Sequence, residues 1–295
     1  MPLCHRRVRG GLVLLLVLWP ASAGAWGLDG HRVIGEIAWL SLDTATRDKV
    51  KELLPQGRYQ TLSEASVWAD REARSKKAYK WLDPLHYVDL DPKATQVVLD
   101  SINCPKGNCV IEAIPRFARV LEDSSATRNA RIEALRLLSH FVGDVHQPLH
   151  VAYPDTCGGC TVRVQTPGGW MSLHEFWDSG LLAEDLKRRY ENEDASEQSD
   201  EEMMKTDVTP HWRLLAQELV KGTTVSADLN PRIWAAESLH FSQSPLFHVS
   251  GEISEEYVDQ AIPLMEARLR QAGLRLAAVL NAVFSDQRLF SKGTP

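Results

Sequence analysis

The sequence predicts a single, almost wholly α-helical domain with one small β-hairpin, and three observations carry that prediction. Apolar residues recur at three- and four-residue spacing along most of the 295 residues. Strict alternation is confined to 161–165, where Val162 and Val164 share one face. No internal repeat and no long Pro/Gly/Ser linker divides the chain. A composition of 44% hydrophobic and 24% charged residues excludes a disordered, collagen-like or purely disulfide-held protein.

The elements follow in order. The apolar run 12–18 is too short to span a bilayer. It lies behind Arg6, Arg7 and Arg9 and ahead of Ala23-Gly24-Ala25, so 1–25 reads as a signal peptide cleaved before Trp26, and 26–295 as the domain. An uncleaved membrane anchor is the rival. Helical spacing then covers 31–40 (Val33, Ile34, Ile37, Leu40), 47–54, and 63–74 with Ala65, Trp68 and Ala69. It continues through 111–121, 130–145, 210–221, 233–241 and 255–284. The last is long enough for two helices joined or bent at Gly273, since glycine weakens a helix interior. Strand 161–165, the turn Pro167-Gly168-Gly169 and 170–173 form the expected hairpin. The acidic run 191–207 reads as a solvated face.

Signal cleavage removes three of the 33 basic residues and none of the 39 acids, leaving a net charge of −9. A chain this acidic has no general attraction for nucleic acid or an anionic membrane, so a phosphate-bearing substrate needs local positive charge. Bound metal is one source. Four cysteines remain after cleavage, in an oxidising compartment that is secreted or periplasmic. Cys104 with Cys109 and Cys157 with Cys160 are the simplest pairing of three possible ones, and a zinc–thiolate site is the rival.

The chemistry-bearing residues concentrate in a few phrases. In Ser139-His140-Phe141-Val142-Gly143-Asp144-Val145-His146-Gln147-Pro148-Leu149-His150, His140 and Asp144 are one helical turn apart and project from one face. That spacing lets an imidazole and a carboxylate meet one divalent ion. Pro148 ends the helix and turns His150 elsewhere. A second pair at the same spacing is His174 and Asp178. Upstream stand Asp70 after Trp68-Ala69, and His86 followed by Asp89. Cleavage before Trp26 would also free an amine that, with its own carbonyl and His31, can chelate an ion.

In this order the phrases resemble the secreted single-strand nucleases and 3′-nucleotidases of the S1/P1 family, relatives of bacterial zinc phospholipase C, from Trp26 to the Ala272-Gly273 phrase. The resemblance implies the helical fold shared by those two groups and three Zn²⁺ ions. Trp26, His31 and Asp144 would hold one; Asp70, His86 and His140 a second, bridged by Asp144; His150, His174 and Asp178 a third. It further implies that a hydroxide formed between two ions attacks phosphorus, with Asp89 orienting it. Single-stranded DNA or RNA would yield 5′-phosphorylated products, and 3′-nucleotides would yield nucleoside and phosphate. The protein is expected to be a monomer without a membrane anchor.

Three positions depart from the family pattern. Ala73 stands where an arginine that holds phosphate is common, with Arg71 and Arg74 beside it and Arg74 a candidate substitute after a small shift. Ser172 replaces an asparagine, and Cys157-Gly-Gly-Cys160 replaces a Gly-Gly-Asn turn. Rival functions are a zinc phospholipase C acting on lipid phosphodiesters and a non-catalytic zinc-binding protein. His146 faces away from His140, while His211, His240 and His248 read as packing or surface residues. Trp39, Trp81, Trp212 and Trp234 likewise fit helix packing.

Overall fold

The computed structural model describes residues 26–55, 57–190, 209–222 and 228–285. The signal segment and the acidic run 191–207 lie outside the described residues. Helices dominate, as expected. α1 (Leu28–Ser41), α2 (Thr44–Leu53) and α3 (Leu62–Ser66) precede a long excursion that ends at α4 (Val110–Glu122) and α5 (Arg128–Asp144). After the hairpin come α6 (Leu173–Glu175), α7 (Leu181–Tyr190), α8 (His211–Leu219), α9 (Pro231–Ser242) and α10 (Glu255–Phe284). Several start on side-chain caps that satisfy otherwise unpaired amides: Asp43 accepts from Thr46 N, Thr61 from Glu64 N, Thr127 from Ala130 N and Ser254 from Tyr257 N.

One core runs through the molecule, with α1 at its centre against α3, α8 and α10, and α5 packed on α3 and α4. Val33, Ile34 and Ile37 of α1 are fully buried, and so are Leu135, Leu138 and Phe141 of α5 with their neighbours. That burial makes α1 and α5 rigid carriers for His31, His140 and Asp144, which are also buried. The hairpin pairs β1 (Arg163–Thr166) with β2 (Gly169–Ser172), Val164 opposite Met171. The short strand β3 (Gly251–Glu252) adds a parallel edge to β1 that the alternation in sequence does not announce.

Gly273 does not break α10. The helix runs continuously from Glu255 to Phe284, and the glycine serves a close approach instead. A Cβ there would lie 2.6 Å from the Ile37 side chain and 3.0 Å from the Ile34 carbonyl oxygen, so α1 and α10 touch backbone to side chain. The expected consequence is a sign reversal. An exposed helical Gly→Ala change gains about 1 kcal/mol, whereas Gly273→Ala should cost about 1–3 kcal/mol through overpacking. A fall in the urea midpoint at unchanged slope would register it; a rise would show that the two helices part freely.

Candidate metal centre

The site begins with what holds each imidazole. Nδ1 of His140 donates to the Ser66 carbonyl at 2.8 Å, Nδ1 of His150 to the His86 carbonyl at 2.7 Å, and Nδ1 of His174 to the Gly158 carbonyl at 2.8 Å. A carbonyl can only accept, so each neutral ring carries its proton on Nδ1 and presents a lone pair at Nε2. Those lone pairs converge. Nε2 of His150 and Nε2 of His174 face each other at 3.1 Å, and Nε2 of His140 lies 3.1 Å from Nδ1 of His86. Two unprotonated nitrogens this close inside protein repel unless a proton or a metal cation lies between them, and Nδ1 of His86, also 3.0 Å from Asp144 Oδ2, can carry such a proton.

Carboxylates complete three groups. His31, His140 and Asp144 form one; Asp70, His86 and His140 another; His150, His174 and Asp178 the third. Asp144 faces both of the first two, with Oδ1 3.4 Å from His31 Nε2 and Oδ2 3.0 Å from His86 Nδ1. Asp178 Oδ2 is 3.1 Å from His174 Nε2, and Asp70 Oδ1 is 3.8 Å from His140 Nε2. Ligands of one tetrahedral zinc lie about 3.3–3.4 Å apart, given bonds of about 2.0–2.1 Å. The donor sets therefore fit such ions. Both ring nitrogens of His31 and Oδ1 of Asp144 are buried without a hydrogen-bond partner among the described residues. Buried polar atoms are costly to leave unpaired, and an ion would account for His31 Nε2 and Asp144 Oδ1, which lie 3.4 Å apart.

Local backbone places the two remaining acids. Asp70 lies in a π turn, Ala69–Ala73, closed by Arg74 N donating to the Ala69 carbonyl. Asp178 lies in a second, Phe176–Gly180. Such one-turn widenings are concentrated at functional sites, where they aim a side chain that a regular helix would point elsewhere. After α5, the turn Pro148–His150 carries His150 to the third group, and the buried Gln147 between them donates to Asp178 Oδ1 at 2.6 Å. Gly143 leaves room for His31, whose Nδ1 would be 2.9 Å from a Cβ. Trp26 is buried, its indole N–H donating to the Gly143 carbonyl, while Gly27 N donates to the Asp178 carbonyl. The segment entering α1 is thus pinned between the groups.

Electrostatics separate the groups. Burial holds His31, His86 and His140 below the usual imidazole range, so they stay neutral and ready to ligate. Burial drives the Asp144 carboxyl well above the ordinary range, with repulsion from Asp70 and Asp178 adding to it. Asp178 is pushed up to about 6 by burial. Burial alone would lower His174, but the Asp178 carboxylate outweighs it and lifts the imidazole well above its usual range.

A cleft of about 930 Å³ is lined by Asp70 and His86 of the second group and by His150, His174 and Asp178 of the third, while His31, His140 and Asp144 of the first are fully buried. Asp89 stands at its exposed rim, where partial desolvation raises its carboxyl. Arg74 lines the same cleft and donates to Asp70 Oδ1 at 3.1 Å, whereas Ala73 is fully buried. Tyr87 is the aromatic ring that the sequence did not single out. It is 43% exposed and lines the cleft between His86 and Asp89. His146 points away from the groups, as expected, its Nδ1 on the Val142 carbonyl and its Nε2 accepting from Arg275.

The cysteines divide. Cys104 and Cys109 form a disulfide, but Cys157 and Cys160 are thiols with sulfurs 2.8 Å apart, which corrects the expected second disulfide. The physical reason is local: Cys160 Sγ turns to the Cys157 carbonyl, and Cys157 adopts a left-handed backbone at φ +54°. Both sulfurs line the cleft.

A helical scaffold that brings eight buried or cleft-lining His and Asp side chains into three adjoining groups, each able to hold a metal ion, has the arrangement of a multinuclear metal-dependent hydrolase. The sequence comparison makes the class specific. The S1/P1 nuclease pattern matches residues 26–285, and the chain belongs to that family. It is 32% identical to Endonuclease 2 of Arabidopsis thaliana over 92% of this chain and 97% of that protein. It is 26% identical to Nuclease P1 of Penicillium citrinum, over 89% and 99%, and 27% identical to Nuclease S1 of Aspergillus oryzae, over 88% and 92%.

Because His174 holds an extra proton near neutrality, and Asp178 is partly protonated by pH 6, when no ion is bound, metal must displace these protons. Calorimetry of Zn²⁺ binding at pH 6 in two buffers of different ionisation enthalpy should show proton release, with affinity falling as pH is lowered. Binding enthalpies that agree between the buffers would contradict the protonation assigned to this pair.

Proposed function

We propose that the protein is a secreted, zinc-dependent nuclease that cleaves single-stranded DNA and RNA to 5′-phosphorylated products and removes phosphate from 3′-nucleotides. The observation that carries this reading is the gathering of three His/Asp groups, the second and third of them lining one cleft. In the mature chain, the Trp26 amine and carbonyl join His31 and Asp144; Asp70, His86 and His140 form the second set, with Asp144 shared; His150, His174 and Asp178 form the third. Residues 1–25 act as the signal and 26–295 as the working domain. Among the described residues, no helix is long and apolar enough to cross a membrane.

Zinc, when bound, supplies Lewis acidity and brings the pKa of water down to about 7. The chain's own residues do the rest. Asp89 accepts a hydrogen bond from the attacking water and aims its oxygen at phosphorus, in line with the leaving 3′ oxygen. Arg74, tethered to Asp70, offers its free N–H groups to a phosphate oxygen. The Tyr87 ring gives a splayed base a face to stack on, which a paired duplex cannot use. Three divalent ions against the carboxylates of Asp70, Asp144 and Asp178 leave a positive centre within a mature chain of net charge −9. Attraction for phosphate is thereby confined to the cleft.

Two variants separate the roles. Asp89→Asn should lower kcat on single-stranded DNA by about 10²–10⁴-fold while bound zinc per chain is unchanged; full activity would remove Asp89 from the chemistry. Tyr87→Ala should raise KM for single strands by roughly tenfold or more, matching the 1–3 kcal/mol of a base–aromatic stack, and leave kcat nearly untouched. Equal KM values would place the base elsewhere. Assaying a phosphatidylcholine in parallel tests the phospholipase alternative, which predicts hydrolysis of the lipid and none of the nucleic acid.

A further inference from the structure

The Cys157-Gly-Gly-Cys160 loop is unused by the reaction yet sits against the third ligand group. Its Gly158 carbonyl is the acceptor that fixes His174 Nδ1, at 2.8 Å. Cys157, Gly158 and Gly159 are consecutive left-handed residues, at φ +54°, +61° and +87°. The loop is wedged tightly: a Cβ on Gly158 would lie 2.3 Å from the Leu149 carbonyl oxygen and 3.1 Å from His174 Nδ1. It therefore touches His174 directly and the residue preceding His150. The two sulfurs are 2.8 Å apart and face the cleft, against about 2.05 Å in a bond.

We propose that Cys157 and Cys160 are a reversible thiol–disulfide pair whose state sets how tightly the His150, His174 and Asp178 group holds its ion. The step is an exchange with a low-molecular-weight disulfide such as glutathione disulfide. One cysteine thiolate attacks a sulfur of that disulfide, breaking its S–S bond and releasing one thiolate. The second cysteine thiolate then attacks the protein-bound sulfur of the mixed disulfide and expels the other. Two protein thiols become one disulfide, the oxidant becomes two thiols, and the two protons pass to the departing sulfurs. The cross-link closes the loop and removes its freedom to lift from His174. The dithiol form makes the same Gly158–His174 hydrogen bond, but with no covalent restraint to keep the loop from lifting off it. Loss of such an outer hydrogen bond weakens a metal site by about 10–100-fold.

This inference rests on the third group holding a metal, as proposed above. The test uses zinc-loaded mature protein, equilibrated in glutathione buffers from reducing to oxidising. Alkylation and peptide mass report the state of Cys157 and Cys160, and a chelator titration reports each zinc lost. The expected result is that one zinc leaves at about tenfold lower free chelator in the dithiol form. A Cys157→Ser/Cys160→Ser protein should lose that zinc at the dithiol-form concentration in every buffer, which separates this pair from Cys104–Cys109. Equal retention of the third zinc in both states overturns the switch alone. A chain that never holds a third zinc overturns the functional reading and the switch together.

Discussion

Two imidazole lone pairs facing each other at 3.1 Å inside a protein are the constraint around which the rest is arranged. Each ring donates its Nδ1–H to a backbone carbonyl, so in the neutral form neither can donate across the gap, and without an ion the extra proton of His174 is what fills it. The carbonyls come from segments far apart in sequence, at Ser66, His86 and Gly158. Holding three such acceptors in place is a task for the whole fold rather than for one motif. Each fixes a tautomer and a ring direction, and outer hydrogen bonds of this kind raise ligand basicity as well.

The support extends behind the groups. Beyond Asp144 the chain is clamped by a buried cationic network in which Arg268 donates to the His146 carbonyl and Arg275 to His146 Nε2. Glu237 accepts from both guanidiniums and offsets one of their two charges, and Ser238 donates to the Val145 carbonyl. Removing one partner of such a network leaves a buried charge uncompensated, which makes it a firm anchor for the end of α5. The carriers of the ligands are rigid, whereas Asp89 and Tyr87 stand exposed at the rim, where a substrate reaches them.

Much of this was legible in the residues. The one-turn spacing of His140 with Asp144 and of His174 with Asp178 marks shared faces, and Pro148 marks the place where His150 must turn away. The helices follow from apolar periodicity, although Gly30–Ala38 of α1 and Leu137–Asp144 of α5 are buried on every side rather than along one stripe. What was not legible has physical causes. The π turns under Asp70 and Asp178 add a residue to a turn without disturbing the apolar pattern. The carbonyls that orient the rings belong to the backbone and leave no residue signature. Gly273 looks like a helix breaker until the neighbouring Ile37 is known. Cys157 and Cys160 have the spacing of a cross-link, but whether it closes depends on backbone angles and redox conditions. Tyr87 is conspicuous only once the cleft around it is formed.

The most direct test of the account is anomalous diffraction at the zinc edge from crystals of the mature protein grown with zinc. The account predicts three peaks: one between His31 and Asp144 beside the Trp26 amine, one among Asp70, His86 and His140, and one among His150, His174 and Asp178. Density between the facing imidazoles that shows water and no anomalous signal would contradict it.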